Sequence, residues 1–400
     1  MYIDNFGKLL LVSVLMLNSE VAESLAQAPL AVERSVIAHG NEKWDWLQVR
    51  TGYADRTPPI CLTTMSLTGK EKTHDFHDIF LSVSTDHGEN WSKPRAIPSL
   101  RRTKLDDGYE ISAGDLWPKW HAATDKFLIT GKTFDFEDGT REDRVKTKVS
   151  YAVIDPETLE CGPLKFLELP DTDHEGRPLR AANAGCNQRV DLANGDVLLP
   201  IRYLKDVTKR NMTTTVVRCR FDGTTLTYLE HGSEHSLPTG RGLYEPSAVQ
   251  LGDQFFLTMR ADDGAYVSKS RDGLDYTDHI PWTFDDGTLL GSYNTQQHWV
   301  TLEDRLFLVY TRKGADNDHI MRHRAPLFIA EGDPEELHVI RSTEQVLVPE
   351  NDATLGNSGV CQVSENEAWV TVGEGRVSRG KRSGEFNKVI LAKIRVDDSE

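Results

Sequence analysis

Short apolar runs rich in β-branched and aromatic residues recur along this chain, and they come in pairs separated by turn residues. The clearest pair spans Tyr244 to Arg260, where two such runs flank a tight turn at Gly252-Asp253. Short apolar runs bounded by turn residues are typical of the two strands of a β-hairpin. Polar residues stand just before the first run and just after the second. The pattern therefore predicts a hairpin with polar residues at one end.

The same layout is repeated along the chain. Further copies are Cys186 to Arg202, Gln297 to Arg312, Ser358 to Glu374, the weaker Trp117 to Lys132, and Pro58 to Met65 as the first half of another. Strand-rich repeats at intervals of roughly fifty to seventy residues favour a propeller. We therefore predict an all-β fold, a six-bladed β-propeller. In such a fold the polar residues that flank the hairpins converge on one end of the central channel. A last strand, Lys388 to Val396, is expected to pair with Arg34 to Ala38.

Composition and charge narrow the class of partner. The net charge is −16 and the sequence contains no basic stripe. Binding of nucleic-acid phosphates needs such a stripe, so no nucleic-acid partner is expected. The five cysteines and thirteen histidines show no metal-binding spacing, and we expect no cofactor. Cys61, Cys186 and Cys361 lie in or beside the hairpins and are expected to be small buried side chains.

The first residues resemble a secretory leader. Lys8 precedes the apolar run Leu9 to Leu17, which is too short to span a bilayer, and small residues follow it. Cleavage is expected after Ala26. The prediction is a signal peptide over residues 1–26 and one propeller domain over residues 27–400, with no membrane span. The mature chain is expected to be a secreted or periplasmic monomer.

The most specific local motif is Ser-x-Asp-x-Gly-x-x-Trp, formed by Ser84, Asp86, Gly88 and Trp91. In this motif the aspartate accepts main-chain N–H bonds, the glycine adopts a conformation that other residues avoid, and the tryptophan covers the blade edge. A shorter copy spans Ser270 to Tyr276. The motif is structural, and it supports a propeller.

The motif, the hairpin repeats and the leader together resemble the sialidase (neuraminidase) superfamily, in which this turn is called the Asp box or BNR repeat. The resemblance extends over nearly all of the mature chain. It implies a six-bladed propeller and a glycoside hydrolase that releases a terminal carboxylated sugar, sialic acid or a uronic acid, from an acidic glycan.

The family binds the substrate carboxylate with three arginines, and the resemblance assigns one to each of three repeats. Arg56 begins an Arg-Thr-Pro sequence similar to the family's first motif, Arg260 matches the second arginine and Arg324 the third. Glu374 matches the carboxylate that steadies the first arginine. Glu245 falls where the family has the glutamate beside its nucleophile. Guanidinium groups fixed by carboxylates bind a carboxylate bidentately, so this assignment is chemically sensible.

The catalytic residues depart from the family pattern. Asp75, in the loop before the Asp box, is the candidate acid, in preference to Asp78 in the same loop. Asn357 stands where the family has its tyrosine nucleophile, and an amide cannot form a glycosyl-enzyme. Glu245 and Asn357 would then position either a water or a tyrosine, Tyr244 or Tyr293. His298 is a further candidate at the binding site.

Two alternatives remain open. In a uronate lyase the arginines would neutralise a uronate carboxylate while His298 or a tyrosine removed the C5 proton. In a carbohydrate-binding propeller the arginine site would be kept and the nucleophile lost. Asn357 is the residue that separates these hypotheses from a standard sialidase. The sugar, its linkage and the stereochemical course are left open by the sequence.

Overall fold

A computed structural model describes residues 30–70, 76–104, 108–137, 140–141, 146–377 and 387–396. Six antiparallel sheets are arranged as the blades of a β-propeller, which confirms the predicted fold class. Strands of neighbouring blades contact one another. The signal peptide and Asp75 lie outside the described residues and stay predictions. In the parts of the chain that are described, no helix is long and apolar enough to cross a bilayer.

The first strand, β1 (Leu30–His39), belongs to the last blade, and the first three blades follow it in chain order. Blade 1 contains β2 (Trp44–Ala54), β3 (Ile60–Gly69), β4 (Phe76–Ser84) and β5 (Arg95–Ala96). Blade 2 contains β6 (Thr103–Lys104), β7 (Glu110–His121), β8 (Lys126–Glu137), β9 (Thr140–Arg141), β10 (Val149–Ile154) and β11 (Lys165–Phe166). Blade 3 contains β12 (Arg180–Asn183), β13 (Val190–Asp191), β14 (Asp196–Leu204), β15 (Met212–Phe221), β16 (Leu226–His231) and β17 (His235–Ser236).

The remaining strands form three more blades. Blade 4 contains β18 (Tyr244–Leu251), β19 (Gln254–Arg260), β20 (Ala265–Ser270) and β21 (Ile280–Pro281). Blade 5 contains β22 (His298–Leu302), β23 (Arg305–Tyr310), β24 (Leu327–Gly332) and β25 (Gln345–Val348). Blade 6 contains β27 (Gly359–Gln362), β28 (Glu367–Gly373) and β30 (Lys388–Val396), and β26 (Ala353–Thr354) pairs with β29 (Gly375–Val377) separately. The described helices are short 3-10 turns: Pro98–Leu100, Ala122–Thr124, Met321–His323 and Arg341–Thr343.

The predicted hairpins correspond to strand pairs of the blades. The complete copies form β7–β8, β13–β14, β18–β19, β22–β23 and β27–β28. Pro58 to Met65 differs, because it lies in the second strand of its hairpin and β2 is the first. The sequence pattern did not reveal β2, because polar residues interrupt its apolar ones. The predicted pairing of the two ends is confirmed, with Arg34 opposite Ala392 in β1 and β30.

The apolar core lies between the blades. Its largest fully buried side chains include Trp299 in blade 5 and Trp369 in blade 6. A fully buried Val, Leu, Ile or Phe side chain contributes roughly 1.5–3 kcal/mol. Cys61, Cys186 and Cys361 are buried free thiols, as the pattern predicts. The core therefore holds the blades around the axis without covalent links among the described cysteines.

The Ser-x-Asp-x-Gly turn joins β4 to β5, at the outer side of blade 1. Asp86 accepts a hydrogen bond from the main-chain N–H of Asn90 at 2.9 Å. Gly88 has φ +74°, and a Cβ atom there would lie 2.9 Å from the ring of Trp369 in blade 6. In the shorter copy, between β20 and β21, Asp272 accepts two main-chain N–H bonds of 2.8 Å. Both turns are thus local structural devices away from the channel.

Candidate functional site

Bulges in three channel strands build one end of the channel. Gln48 on β2, Asp115 on β7 and Glu245 on β18 lie at register shifts and have φ of 52°, 50° and 50°. A β-bulge bends its strand and changes the direction of a side chain. A non-glycine residue in this conformation costs roughly 1–3 kcal/mol, so the surrounding structure must hold it. The bulges bring two carboxylates and an amide to the same end of the channel.

Asp115 pairs with two cations. Its carboxylate lies 3.4 Å from Arg50 Nη2 and 2.9 Å from Lys132 Nζ, and the side chains of Arg50 and Asp115 are fully buried. Arg50 also donates to the main-chain oxygen of Asn357 at 2.8 Å, and its guanidinium lies over the ring of Trp117 at 5.1 Å. Burial alone would raise the pKa of Asp115, but Lys132 and Arg50 outweigh it and lower the pKa. Asp115 is therefore ionised at neutral pH and fixes both cations.

Glu245 holds a second pair of cations. Its carboxylate lies 3.2 Å from Arg202 Nη1 and forms a buried ion pair with Arg260. Burial would raise the pKa of Glu245, but Arg260 and Arg202 hold it well below its usual range. Glu245 is thus a carboxylate that positions arginines, and it is not protonated at neutral pH.

Asn294, in the loop before β22, connects three guanidinium groups. Its side-chain oxygen accepts hydrogen bonds from Arg241 Nη2 at 2.7 Å and from Arg260 Nη2, and it lies 3.1 Å from the Tyr244 hydroxyl oxygen. Its main-chain oxygen accepts one from Arg324 Nη2 at 2.6 Å. The residue has φ 51°, a conformation that asparagine tolerates better than most residues. Because Asn294 is neutral, it gathers the arginines without cancelling their charge.

Among the described residues of this site, Arg324 is the buried cation that lacks a carboxylate partner. It is buried, and its Nε donates to Thr295 Oγ1 at 3.1 Å. It makes no ion pair with any residue that the structure describes. Burial, together with Arg260 and Arg322 nearby, lowers the pKa of Arg324 to about 9. A buried cation among other cations is unfavourable unless an anion joins it.

Tyr244 lies within this group of arginines. Its ring is 4.7 Å from the guanidinium carbons of both Arg241 and Arg260. Its hydroxyl donates to Asp262 Oδ1 at 2.7 Å and accepts from Arg241 Nη2 at 2.6 Å. Burial raises the pKa of Tyr244 to about 12, although Arg260 opposes the rise. The phenol is protonated at neutral pH, with a carboxylate in contact with its proton.

Four of the residues predicted from the sequence meet here: Tyr244, Glu245, Arg260 and Arg324. Asn357 joins through its main-chain oxygen, which holds Arg50. His298 is buried beside them, with Nδ1 2.8 Å from Ser247 Oγ, and burial and Arg50 lower its pKa, so its imidazole is neutral. Glu374 accepts hydrogen bonds from Asn351 at 2.9 Å and from the main chain of Lys388 at 2.8 Å.

Arg56 does not join this group, and the structure corrects its assignment. It follows the end of β2, whereas Arg50 lies within that strand at the bulged end of the channel. Arg56 pairs with Asp125 and Glu157 and lies over Trp120, at the other end of the channel. Arg-Thr occurs at Arg50 and again at Arg56, and the proline that follows Thr57 made the second of these the better match to the family motif. The first copy, at Arg50, is the one that reaches the cluster.

Several cations of the site were not predicted from the sequence, although the repeats contained a signal for two of them, Lys132 and Arg202. Lys132, Arg202 and Arg260 are the last residues of three of the repeated hairpins. They therefore occupy equivalent positions on β8, β14 and β19. Asp115, Arg241 and Asn294 had no comparable signal, because they lie in a bulge or in connecting loops.

The comparisons with known proteins bear on the fold. No protein-family model matches the sequence, and no curated protein matches it significantly. The structure resembles Trypanosoma rangeli sialidase with a TM-score of 0.65 and 13% identity, over 91% of this chain and 59% of that one. The same sialidase has been solved in complex with sialic acid.

Two other solved structures are similar. NanB sialidase from Streptococcus pneumoniae has a TM-score of 0.58 and 11% identity, over 90% of this chain and 70% of that one. A Dyadobacter fermentans protein of unknown function has a TM-score of 0.61 and 14% identity, over 92% of this chain and 99% of that one. At these identities the likeness establishes a sialidase-like propeller and no activity.

Proposed function

We propose that the chain is a sialidase-like glycoside hydrolase that binds a terminal carboxylated sugar at the arginines around Asn294 and releases it from an acidic glycan. The observation that carries the proposal is Arg324, a buried cation without a carboxylate partner, beside Arg260, which Glu245 holds. A carboxylate between these two guanidinium groups would supply the missing negative charge. Charge-assisted hydrogen bonds of this kind contribute about 1.5–3 kcal/mol each. The sialidase-like fold agrees with such a ligand.

For the chemistry, we propose Tyr244 as the nucleophile. Its hydroxyl donates to Asp262 at 2.7 Å, so the proton can pass to Asp262 as the phenol oxygen bonds to the anomeric carbon. Arg241 and Arg260 stabilise the negative charge that develops on the phenol. The glycosidic bond breaks as the candidate acid Asp75 protonates the leaving oxygen. Water then displaces the tyrosine in a second step, and two displacements give net retention.

The experiment follows aryl sialosides and aryl uronides by proton NMR with the purified protein. We expect release of the acidic sugar with net retention, abolished in Tyr244→Phe and strongly reduced in Asp262→Asn. Tyr266→Phe, on β20 of the same blade, is the matched control and should retain full activity. Inversion would exclude the tyrosine and favour a water positioned near Asn357. An unsaturated uronate absorbing in the near ultraviolet would indicate the lyase.

A carbohydrate-binding propeller is the second candidate, and one observation favours it. Asp115 and Glu245 are both ionised and engaged in ion pairs, so neither can donate a proton at neutral pH. Without Asp75 the described site would therefore bind an acidic sugar and leave its glycosidic bond intact. Absence of turnover, together with binding that Arg324→Gln abolishes, would support this candidate.

A further inference from the structure

The channel end described above carries more positive than negative charge. Its cations are Arg50, Lys132, Arg202, Arg241, Arg260, Arg322 and Arg324, and its carboxylates are Asp115, Glu245 and Asp262; we call these ten residues the cationic cluster. The excess contrasts with the net charge of −16 for the whole chain. One ligand carboxylate would leave most of this excess uncompensated, so the cluster has charge available for a second anionic group.

Arg322 is the member best placed to meet that second group. It is exposed, and it makes no ion pair within the described part of the chain. Burial of part of its side chain lowers the pKa of Arg322, and the charges of the nearby Arg260 and Arg241 lower it further. Arg322 is thus a solvent-facing cation next to the arginines proposed to bind the carboxylate.

The backbone around Arg322 is unusual in a way that supports this placement. Arg322 and His323 are consecutive residues with φ of 59° and 52°. Each costs free energy for a non-glycine residue, so the fold must hold both in place. This conformation leads directly into Arg324, which is buried. The same short turn therefore directs one arginine into the site and leaves the other at its entrance.

We infer that the cationic cluster takes a saccharide with two anionic groups. Its carboxylate lies between Arg260 and Arg324, and its second group, a sulfate ester or a second carboxylate, lies at Arg322 on the side of Arg241. The first contact rests on the function proposed above, whereas the second does not. A sulfate ester and a carboxylate are both ionised at neutral pH and both bind a guanidinium group through oxygen atoms.

The test is isothermal titration calorimetry at fixed ionic strength. The singly charged parents are the methyl glycosides of glucuronic acid and N-acetylneuraminic acid. The doubly charged probes are the same glycosides bearing one sulfate ester and the corresponding linked disaccharides with two carboxylates. A sulfated methyl glucoside carries the second anionic group without a carboxylate. We expect at least one doubly charged probe to bind tenfold or more tightly than its singly charged parent. Arg322→Gln should bring that affinity down to near the level of the parent. Arg271→Gln, an exposed arginine on the outer side of blade 4, is the matched control and should keep the difference.

The outcomes separate the two ideas. Equal affinity for singly and doubly charged probes, or an advantage that survives Arg322→Gln, overturns the second anionic contact. Binding of the sulfated glucoside that depends on Arg322, without binding of any carboxylated sugar, refutes the proposed function and leaves the second contact standing. Binding of none of the probes refutes both. The sulfated and the two-carboxylate probes show which group Arg322 prefers.

Discussion

Arg324 illustrates how a single residue can indicate a ligand. Proteins normally pair buried guanidinium groups with carboxylates, because an unpaired buried charge is costly. Here the nearest groups that lower the pKa of Arg324 are other cations, and its hydrogen bonds go to neutral oxygens. A residue that weakens the unliganded fold in this way is explained most simply by an anion that binds to it.

Replacing Arg324 should weaken binding and strengthen the fold. Arg324→Gln is expected to lower the affinity for a carboxylated sugar ten- to a hundredfold, since a charge-assisted contact of about 1.5–3 kcal/mol is lost. Affinity for the carboxyl-reduced analogue should change far less. In the absence of ligand the variant should gain stability on the order of 1 kcal/mol at neutral pH, because a buried charge is removed. Equal losses for both ligands in calorimetry would show that Arg324 does not bind the carboxylate.

The pH dependence of that gain has a definite sign. The pKa of Arg324 in the folded protein is about 9, below the ordinary value of 12.5. The free-energy cost of burying the charged Arg324 side chain is therefore fully present below pH 9. Above that pH the unfolded chain binds more protons than the folded chain, so the cost falls as the pH rises. The stability difference between Arg324→Gln and wild type should therefore shrink as the pH rises above about 9. Urea denaturation at several pH values measures this, and a constant difference would contradict the assigned cause.

The sequence pointed to some of the residues of this candidate site. Glu245, Arg260 and Arg324 were found because repeats and a family resemblance pointed to them, and they do lie together. Arg50 was missed in favour of Arg56, because the bulge at Gln48, which precedes Arg50 on β2, is not visible in the sequence. Bulges depend on the pairing of two strands, and the pattern of one strand does not reveal them.

At the scale of elements, prediction succeeded where the local pattern is strong. The inner hairpins and the Ser-x-Asp-x-Gly turn are specified by residues close in the sequence, and the structure contains them at the expected places. The loop that carries Asn294 was not recognised. It has neither apolar periodicity nor a turn motif, and its conformation depends on the arginines that surround it.

The turn after β4 offers a test with an internal control. Gly88→Ala should destabilise the protein by more than Gly252→Ala, although both glycines have positive φ, +74° and +58°. Both variants place an alanine in a left-handed backbone conformation, and that strain costs roughly 1–2 kcal/mol. Only the new Cβ at Gly88 meets a side chain, the Trp369 ring at 2.9 Å, whereas nothing lies within 4 Å at Gly252. Thermal unfolding measures both variants, and equal losses would argue against close packing of this turn on blade 6.

For the molecule as a whole, the composition gives the net charge but not the charge at the end of the channel. A net charge of −16 gives no indication of the cationic cluster. The members of the cluster are distant in the chain, from Arg50 in blade 1 to Arg324 before β24. They meet because the propeller brings equivalent ends of its blades to one axis. The net charge of a sequence does not show which of its charged residues lie close together in the fold.

The closure of the ring gives a prediction at this scale. β1 is the outer strand of blade 6 and pairs with β30 along nearly its whole length. A variant that lacks residues 30–39 should unfold at a lower temperature and associate with itself, since the unpaired edge of β30 becomes a template for another strand. Size-exclusion chromatography with light scattering and thermal unfolding test this. A variant that stays monomeric with unchanged thermal stability would show that β1 is dispensable.

The pairing of β1 with β30 also sets an order of events during synthesis. Leu30 finds its partner at Val396, so the strand made first waits until the end of the described chain has been made. Contacts so distant in sequence form slowly, and an unpaired strand is exposed to other chains in the meantime. Most of the exposed side chains of β1 are polar, Glu33, Arg34 and Ser35 among them. Their hydration makes the waiting strand a poor partner for aggregation, so the same polarity that faces solvent in the finished ring protects the chain before the ring is closed.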